Sequence, residues 1–428
     1  SNCMNLTEFL RTRPVFTTLY AGVVAFMTYL CFYPFRRAYT AATYENSSYW
    51  DVDFKILMIT AQVIGFAVSK GIGIKFVSEL GPAQRSKSLW IIACISWVCY
   101  GLFALTPAPY SLVFIFLASL PLGMVYGILL GYLEGRTITE LLVATLTASF
   151  IVGSGFAKSI GKWVMIHWEV SEITMPFVAS GCMLLPFAGF VWALSFIPPP
   201  TDEDQRIRSI RQPMDAQARR SFIKDFGLSL AIFVISYVLL TTFREFRDNF
   251  APEIWAALGR GSQIALYTQT EIPIAIFVLF LMIALRWVKN NYRAFWLIEL
   301  WMLGGGVLIG LSTWLFERQL ISAEWWLVLL GLGVYVAYAM CNSLYFERMI
   351  AAFQRKGTIG FLITYADYYA YFGSVLVLLY KNYFQPKIAY LDFFIRLSYT
   401  ISSLYILLVC ISMYLLSVKY KKEVHDIT

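Results

Sequence analysis

Histidine is almost missing from this chain: two occur among 428 residues, His167 and His425, both near the ends of apolar stretches. Zinc coordination through imidazole, and Ser-His or Cys-His nucleophilic catalysis, therefore have little to build on. Charge is scarce as well, at 14% of residues against about a quarter in soluble domains. Of the seven cysteines, Cys31, Cys94, Cys99, Cys182, Cys341 and Cys410 lie inside apolar stretches, with neither disulfide nor metal-ligand spacing. Gly304-Gly305-Gly306 has no strand before it and no phosphate-loop lysine after it, so it is a helix-packing feature and not a nucleotide loop. These absences lead to expectations of no enzyme, no catalytic residues, no metal, no cofactor and no nucleic-acid partner.

What fills the space is apolar: 59% of residues are hydrophobic and 17% aromatic. A run of about 20 such residues crosses the hydrocarbon core of a bilayer, and the sequence holds about twelve of them. The expected fold is an all-α membrane protein with twelve transmembrane helices. The first apolar helix is too long for a cleavable signal peptide and lacks a small-residue cleavage site. Lys and Arg collect at alternate connections, among them Arg11, Arg13, Lys75, Arg85, Lys87, Arg136, Arg286, Lys289 and Arg293. The opposite connections carry Glu45, Asp51, Asp53, Glu169, Glu172, Glu317 and Glu324. The positive-inside rule then puts both termini in the cytoplasm, which requires an even number of spans. A bacterial inner (cytoplasmic) membrane location follows as an expectation, with membrane lipid and a small anionic substrate as partners of a monomer.

The longest polar interruption begins at Pro198-Pro199-Pro200, follows the sixth span and carries a dense charged run. It divides the chain into an N-terminal six-helix bundle over 1–197, a cytoplasmic linker over 198–221 and a C-terminal six-helix bundle over 222–428. Shifting the second half back by about 208 positions lays Phe35-Arg36 on Phe243-Arg244, Gln62 near Gln269 and Thr270, and Ala157-Lys158 within a residue of Ala366-Asp367. Internal symmetry of this kind marks carriers built from repeats.

An ionisable side chain inside a membrane helix is costly and is by default a functional-site hypothesis. Arg36 and Arg37 end the first apolar helix, and Arg244 closes the seventh. Each arginine has two readings, a stem snorkelling to the headgroups or a planar fork that grips phosphate or carboxylate. Lys158 is mid-span, and it faces either an anion or a structural acid such as Asp367. Buried Asp367 either carries a proton or neutralises a cation. Glu271 suits the counter-ion role, and Glu134 lies near the cytoplasmic end of the fourth span. Tyr39, Tyr44, Tyr267, Tyr365, Tyr368, Tyr369 and Tyr371 belong to interfacial belts or hydrogen-bond a substrate. Trp314, Trp325 and Trp326, at span ends, read as belt residues.

Five stretches resemble the organophosphate:phosphate antiporter family of the major facilitator superfamily. They are Tyr33-Pro34-Phe35-Arg36-Arg37-Ala38-Tyr39, Ser69-Lys70 with Ser78-Glu79, Gly135-Arg136-Thr137, Phe243-Arg244 with Pro252, and Lys356-Gly357-Thr358 with Gly360-Phe361 and Gly373-Ser374. The usual Asp-Arg of the loop after the second helix is absent, which leaves that gating motif degraded. The resemblance implies two pseudo-symmetric six-helix bundles in the major facilitator fold. It implies phosphate binding by Arg36 and Arg244, with Lys158 where the family has a histidine. Asp367 lies outside the family pattern. Substrate-binding candidates are thus Arg36, Lys158, Arg244, Arg37, Tyr39 and Tyr267; Asp367, Glu271 and Glu134 are candidates for proton coupling or counter-ions. The expected function is a secondary active transporter of a small organic anion (a sugar phosphate or similar organophosphate) by alternating access. A proton-coupled symporter of a carboxylated sugar or other organic acid is the alternative, and a non-transporting membrane anion sensor is the reading from another class.

Overall fold

A computed structural model describes residues 6–136, 138–204, 216–355 and 360–425. Thr137, Lys356-Gly357-Thr358 and positions 205–215 of the linker lie outside the described residues, as does the side chain of Tyr365. Where no water can bond exposed backbone, each helix satisfies its own N–H and C=O groups, and the chain accordingly folds into long helices. In order they are α1 (Pro14–Arg37), α2 (Phe54–Glu79), α3 (Pro82–Leu105), α4 (Leu112–Leu133), α5 (Thr139–His167) and α6 (Met175–Leu194). Then come α7 (Ala216–Asn249), α8 (Leu266–Leu285), α9 (Asn291–Glu317), α10 (Ala323–Ala352), α11 (Gly360–Phe384) and α12 (Tyr390–His425).

Eleven of these are long and apolar enough among the described residues to cross a membrane. The remaining one, α11, is a 25-residue helix standing where the eleventh span was expected. A small hairpin, pairing Ser48 with Asp53 and Tyr49 with Val52, joins α1 to α2. Apolar side chains face outward freely, with Leu185 84% and Val15 71% exposed, as a lipid solvent permits.

The chain resolves into two units. The first holds Ser1–Arg208, Asp248–Ala275 and Asn382–Gln385. The second holds Ser209–Arg247, Ile276–Lys381 and Pro386–Thr428. Residues 248–275, which follow most of α7 in sequence, thus pack with the first half of the chain.

In the first unit α1 lies against α5 and α6, while α4 packs on α2 and α3. Phe32, Phe35, Leu129, Leu146, Phe187 and Val191 belong to its core. The start of α8 presses on α5 so closely that a Cβ at Gly155 would sit 1.9 Å from the Tyr267 carbonyl oxygen. Only a residue without a side chain permits that approach.

In the second unit α9 packs on α10 and α12. The glycine run behaves as a packing device: a Cβ on Gly305 would meet the Gly333 carbonyl oxygen at 2.5 Å, and one on Gly306 the Tyr405 ring at 2.7 Å, whereas Gly304 faces open space. Trp314 and Trp325 are exposed as belt residues should be, but Trp326 is fully buried. It stacks on Phe316 at 4.1 Å and donates Nε1–H to Thr313. Position near a helix end did not foretell this, because Trp326 turns toward α9.

Close backbone approach gives a direct expectation. Gly155→Val forces α5 and the start of α8 apart and costs on the order of 1–3 kcal/mol, the range for overpacking a tight core. Gly304→Ala, with nothing within 4 Å of its new methyl, is neutral or stabilising. Thermal melting of the two purified variants in one detergent checks the contrast; equal melting points would refute it.

Candidate functional site

The charged end of α1 is where the first unit concentrates its polar chemistry. Helical winding carries Arg36 and Arg37 to the end of α1, where a tighter turn, Ala38–Ala41, takes over. The two arginines part there. Arg37 is 3% exposed and does not snorkel. Its Nη1 donates to Asn249 Oδ1 at 2.6 Å, and its Nε lies 3.4 Å from Asp248 Oδ2. Arg36 is half-buried, with its guanidinium 4.5 Å from the centre of the Phe66 ring and 5.8 Å from that of Tyr33. That is cation–π distance, and planar guanidinium suits it better than ammonium.

Lys158, midway along α5 and 1% exposed, donates Nζ–H to Asp248 Oδ1 at 2.6 Å and to Ser154 Oγ at 3.0 Å. Ser154 in turn donates its hydroxyl to Asp248. One carboxylate therefore serves two buried cations from different helices. The acid that pairs with Lys158 is Asp248, not Asp367. Glu271, at the start of the long segment of α8, is close enough to Lys158 to act on its charge.

A second buried pair lies nearby in the same unit. Lys55 at the start of α2 donates to both oxygens of Glu253, at 2.8 and 2.9 Å, and to the Thr40 carbonyl at 3.0 Å. Glu253 lies on the short helix Ala251–Ala257, where burial raises its carboxyl above the ordinary range against the pull of Lys55.

Of the tyrosines, Tyr39 donates to Gln62 at 2.8 Å, and Gln62 donates to the Arg36 carbonyl at 2.6 Å, tying the end of α1 to α2. Tyr267 is 3% exposed, and its hydroxyl has no hydrogen-bond partner among the described residues. Such a group is held ready for something or stores a cost. Glu134 is exposed at the end of α4, away from any ion pair among the described residues.

The second unit meets its charges differently. Arg244 donates Nη2–H to Glu245 at 2.7 Å, and its guanidinium sits 4.2 Å from the centre of the Tyr338 ring. Tyr237 donates to Asp367 Oδ1 at 2.5 Å and lies 3.4 Å from the Tyr338 hydroxyl. Asp367, Tyr237, Tyr338 and Arg244 thereby form a continuous polar and aromatic chain. Arg247 is spent on structure, donating to the Leu327 carbonyl at 3.0 Å. Tyr368 and Tyr369 are exposed, as belt residues would be.

Residues 38–419 match a family model described as "Family of unknown function (DUF5690)". The chain belongs to that family. No curated protein matches it. Solved structures do resemble it in fold. A bacterial homologue of the human drug peptide transporters aligns with a TM-score of 0.61 at 12% identity, covering 94% of this chain and 99% of the other. A D-xylose-proton symporter aligns at 0.60 and 14% identity, over 93% and 97% of the two chains. A mutant POT peptide transporter in complex with sulfate aligns at 0.61 and 12% identity, over 94% and 95%. The DUF5690 chain thus has a major-facilitator-type membrane fold.

Sequence reasoning singled out Lys158 and the arginines but passed over Asp248 and Asn249, which bond Lys158 and Arg37, and the Lys55–Glu253 pair. The signal for the first two was the polar end of α7, Arg244-Glu245-Phe246-Arg247-Asp248-Asn249, read only for its arginines.

Removing one partner of a buried ion pair costs about 3–5 kcal/mol, because the other charge stays desolvated. Asp248→Asn should therefore destabilise the ligand-free protein by that amount. Lys158→Met in the same background should restore part of the loss, with a coupling of about 0.5–3 kcal/mol. A double-mutant cycle on thermal or denaturant stability measures it, and strictly additive losses would contradict the pairing.

Proposed function

We propose that this protein is a secondary transporter of a small organic anion, working by alternating access, with a sugar phosphate or similar organophosphate as the substrate. The observation that carries the reading is Asp248 holding Lys158 and Arg37 together inside the first unit. Two buried cations meet there on one carboxylate, with Glu271 close to Lys158. A dianionic phosphate is the complement of such a site, and arginine and lysine are its usual ligands. Asp248 is then a stand-in: in the empty carrier it occupies the cations, and the substrate competes with it for Lys158.

Further support comes from the fold likeness to solved transporters, from the aromatic seats of Arg36 and Arg244, and from the open hydroxyl of Tyr267. The resemblance of Phe35-Arg36 and Phe243-Arg244 to the organophosphate antiporters narrows the proposal to phosphate esters. The alternate basic connections favour cytoplasmic termini in a bacterial inner membrane.

Proton-coupled symport of an organic acid is the second reading, favoured by one contact. Asp367 accepts from Tyr237, whose neighbour Tyr338 carries the Arg244 guanidinium on its ring. Protonation of Asp367 would remove the charge that Tyr237 answers and let that hydroxyl accept instead of donate, altering the seat of Arg244 and linking proton to anion.

Binding and uptake test both readings. Phosphorylated metabolites should stabilise the purified protein against heat, since a ligand of the folded state raises its stability. Asp248→Asn, less stable when empty, should gain more from the same ligand than the parent; a smaller gain would overturn the stand-in role. Arg36→Lys and Arg244→Lys should each weaken binding by about ten- to hundredfold, the worth of a charged hydrogen bond. In proteoliposomes Asp367→Asn should keep substrate exchange under the second reading and lose accumulation driven by a pH gradient. Absence of uptake for every phosphorylated and carboxylated compound offered would remove the carrier reading itself.

A further inference from the structure

The second unit contains an acid that the anion chemistry does not use. Glu299 is the ninth residue of α9, about 12 Å along the helix at 1.5 Å per residue, and its exposure is 0%. Neither carboxylate oxygen has a hydrogen-bond partner in acceptable geometry among the described residues. No cation is among the groups acting on it. Tyr345 and Ser412 bring their hydroxyls beside it, and Cys341 and Tyr405 are its other polar neighbours, with Cys341 Sγ 3.8 Å from the Tyr405 hydroxyl. These residues come from α10 and α12, the helices packed on α9 around this position, and they bring no fixed charge.

An isolated carboxylate in such surroundings is among the most expensive states a protein can hold, and the usual resolution is to take up a proton. The neutral acid fits what the pocket offers. Directly beside it the backbone departs from regular winding: Met340–Leu344 of α10 form a π-helical turn, with Cys341 inside it and Tyr345 next in sequence. Turns of this kind are local insertions that often accompany function. Rewinding it would move Cys341 and Tyr345 relative to Glu299, and so change which hydroxyl can donate to the carboxylate.

We propose that Glu299 is a proton-binding site, distinct from the residues assigned to anion recognition, that exchanges its proton with bulk water as the π-turn of α10 rewinds. The balance is simple. A hydronium ion gives its proton to the carboxylate and leaves as water, with the acid neutral while the pocket is closed as described. On opening, the hydroxyls of Tyr345 and Ser412, or entering water, solvate the carboxylate, and the proton returns to water. The site's place in a transport cycle rests on the carrier reading above; proton binding itself does not.

Infrared difference spectroscopy on the purified protein separates the two. Raising the pH from about 5 to about 9, the range over which buried glutamates titrate, should bleach the carbonyl band of a protonated carboxylic acid in the parent. That bleach should be missing in Glu299→Gln, which preserves the shape of the neutral acid and should leave the melting temperature unchanged. Cys341→Ser, a second variant, should keep the bleach and show that the packing is not itself the source. A band that does not move with pH, or one that bleaches equally in Glu299→Gln, overturns the proposal, the second outcome passing the signal to another acid such as Asp367. Uptake assays run in parallel keep the readings apart: loss of pH-driven accumulation in Glu299→Gln with exchange retained ties the site to transport. A full infrared signal from a protein that moves no anion would sink the carrier and leave the proton site standing.

Discussion

Everything polar in the first unit depends on how a lysine survives inside a membrane helix. At a helix centre, lysine costs about 2.5–3.5 kcal/mol even on the mildest scale, and α5 has no acid of its own within reach of Lys158. The chain supplies one from far away in sequence. Asp248 ends α7, and its carboxylate meets Lys158, Ser154 and Arg37 together. Asn249 then takes the other side of Arg37. The same stretch of chain brings Glu253 to Lys55. Three ion pairs and the Gly155–Tyr267 approach therefore tie residues 248–275 to the rest of the first unit. The polarity that makes the seventh helix end is the polarity that fixes where its continuation packs.

How much of this could be read beforehand divides along a physical line. Span length, the basic bias of alternate connections and the break at Pro198 are properties of single segments, and they gave the fold class. Lys158 stood out because one residue in an apolar run is visible without knowing its neighbours. Partnership is another matter. The choice between Asp248 and Asp367 as the acid for Lys158 depends on which helices pack side by side, and a pattern along one helix does not encode that. Arg37 illustrates the same gap: a helix-end arginine has the reach to snorkel, and only the presence of Asn249 and Asp248 decides that it does not. Trp326 failed for a related reason, since one residue, about 100° of helix rotation, separates exposed Trp325 from buried Trp326. The π-turn in α10 has no signature in Met340-Cys341-Asn342-Ser343-Leu344.

Aromatic residues explain why so few acids suffice. Seventeen percent of the chain is aromatic, and much of that surface is placed under cations. Arg36 lies over Phe66, and Arg244 over Tyr338. A ring face attracts a guanidinium without bringing a formal negative charge, and Arg244 adds to it the carboxylate of Glu245 at 2.7 Å. Arg37 is tied instead to Asp248 and Asn249, and Arg247 to the Leu327 carbonyl.

The two units differ in how they hold most of their buried charge. The first gathers formal charges and cancels most of them pairwise, which makes its geometry sensitive to any ion that can replace Asp248. The second also holds one buried ion pair, Arg244 with Glu245, but it sets hydroxyls beside its other buried acids, at Asp367 through Tyr237 and at Glu299 beside Tyr345 and Ser412. A hydroxyl can donate to a carboxylate or accept from a carboxylic acid, so such a setting tolerates either protonation state, where an ion pair tolerates one. A proton arriving at Asp248 would dissolve the pairing that holds Lys158 and Arg37 in place, whereas the hydroxyl-lined acids of the second unit have no such pairing to lose.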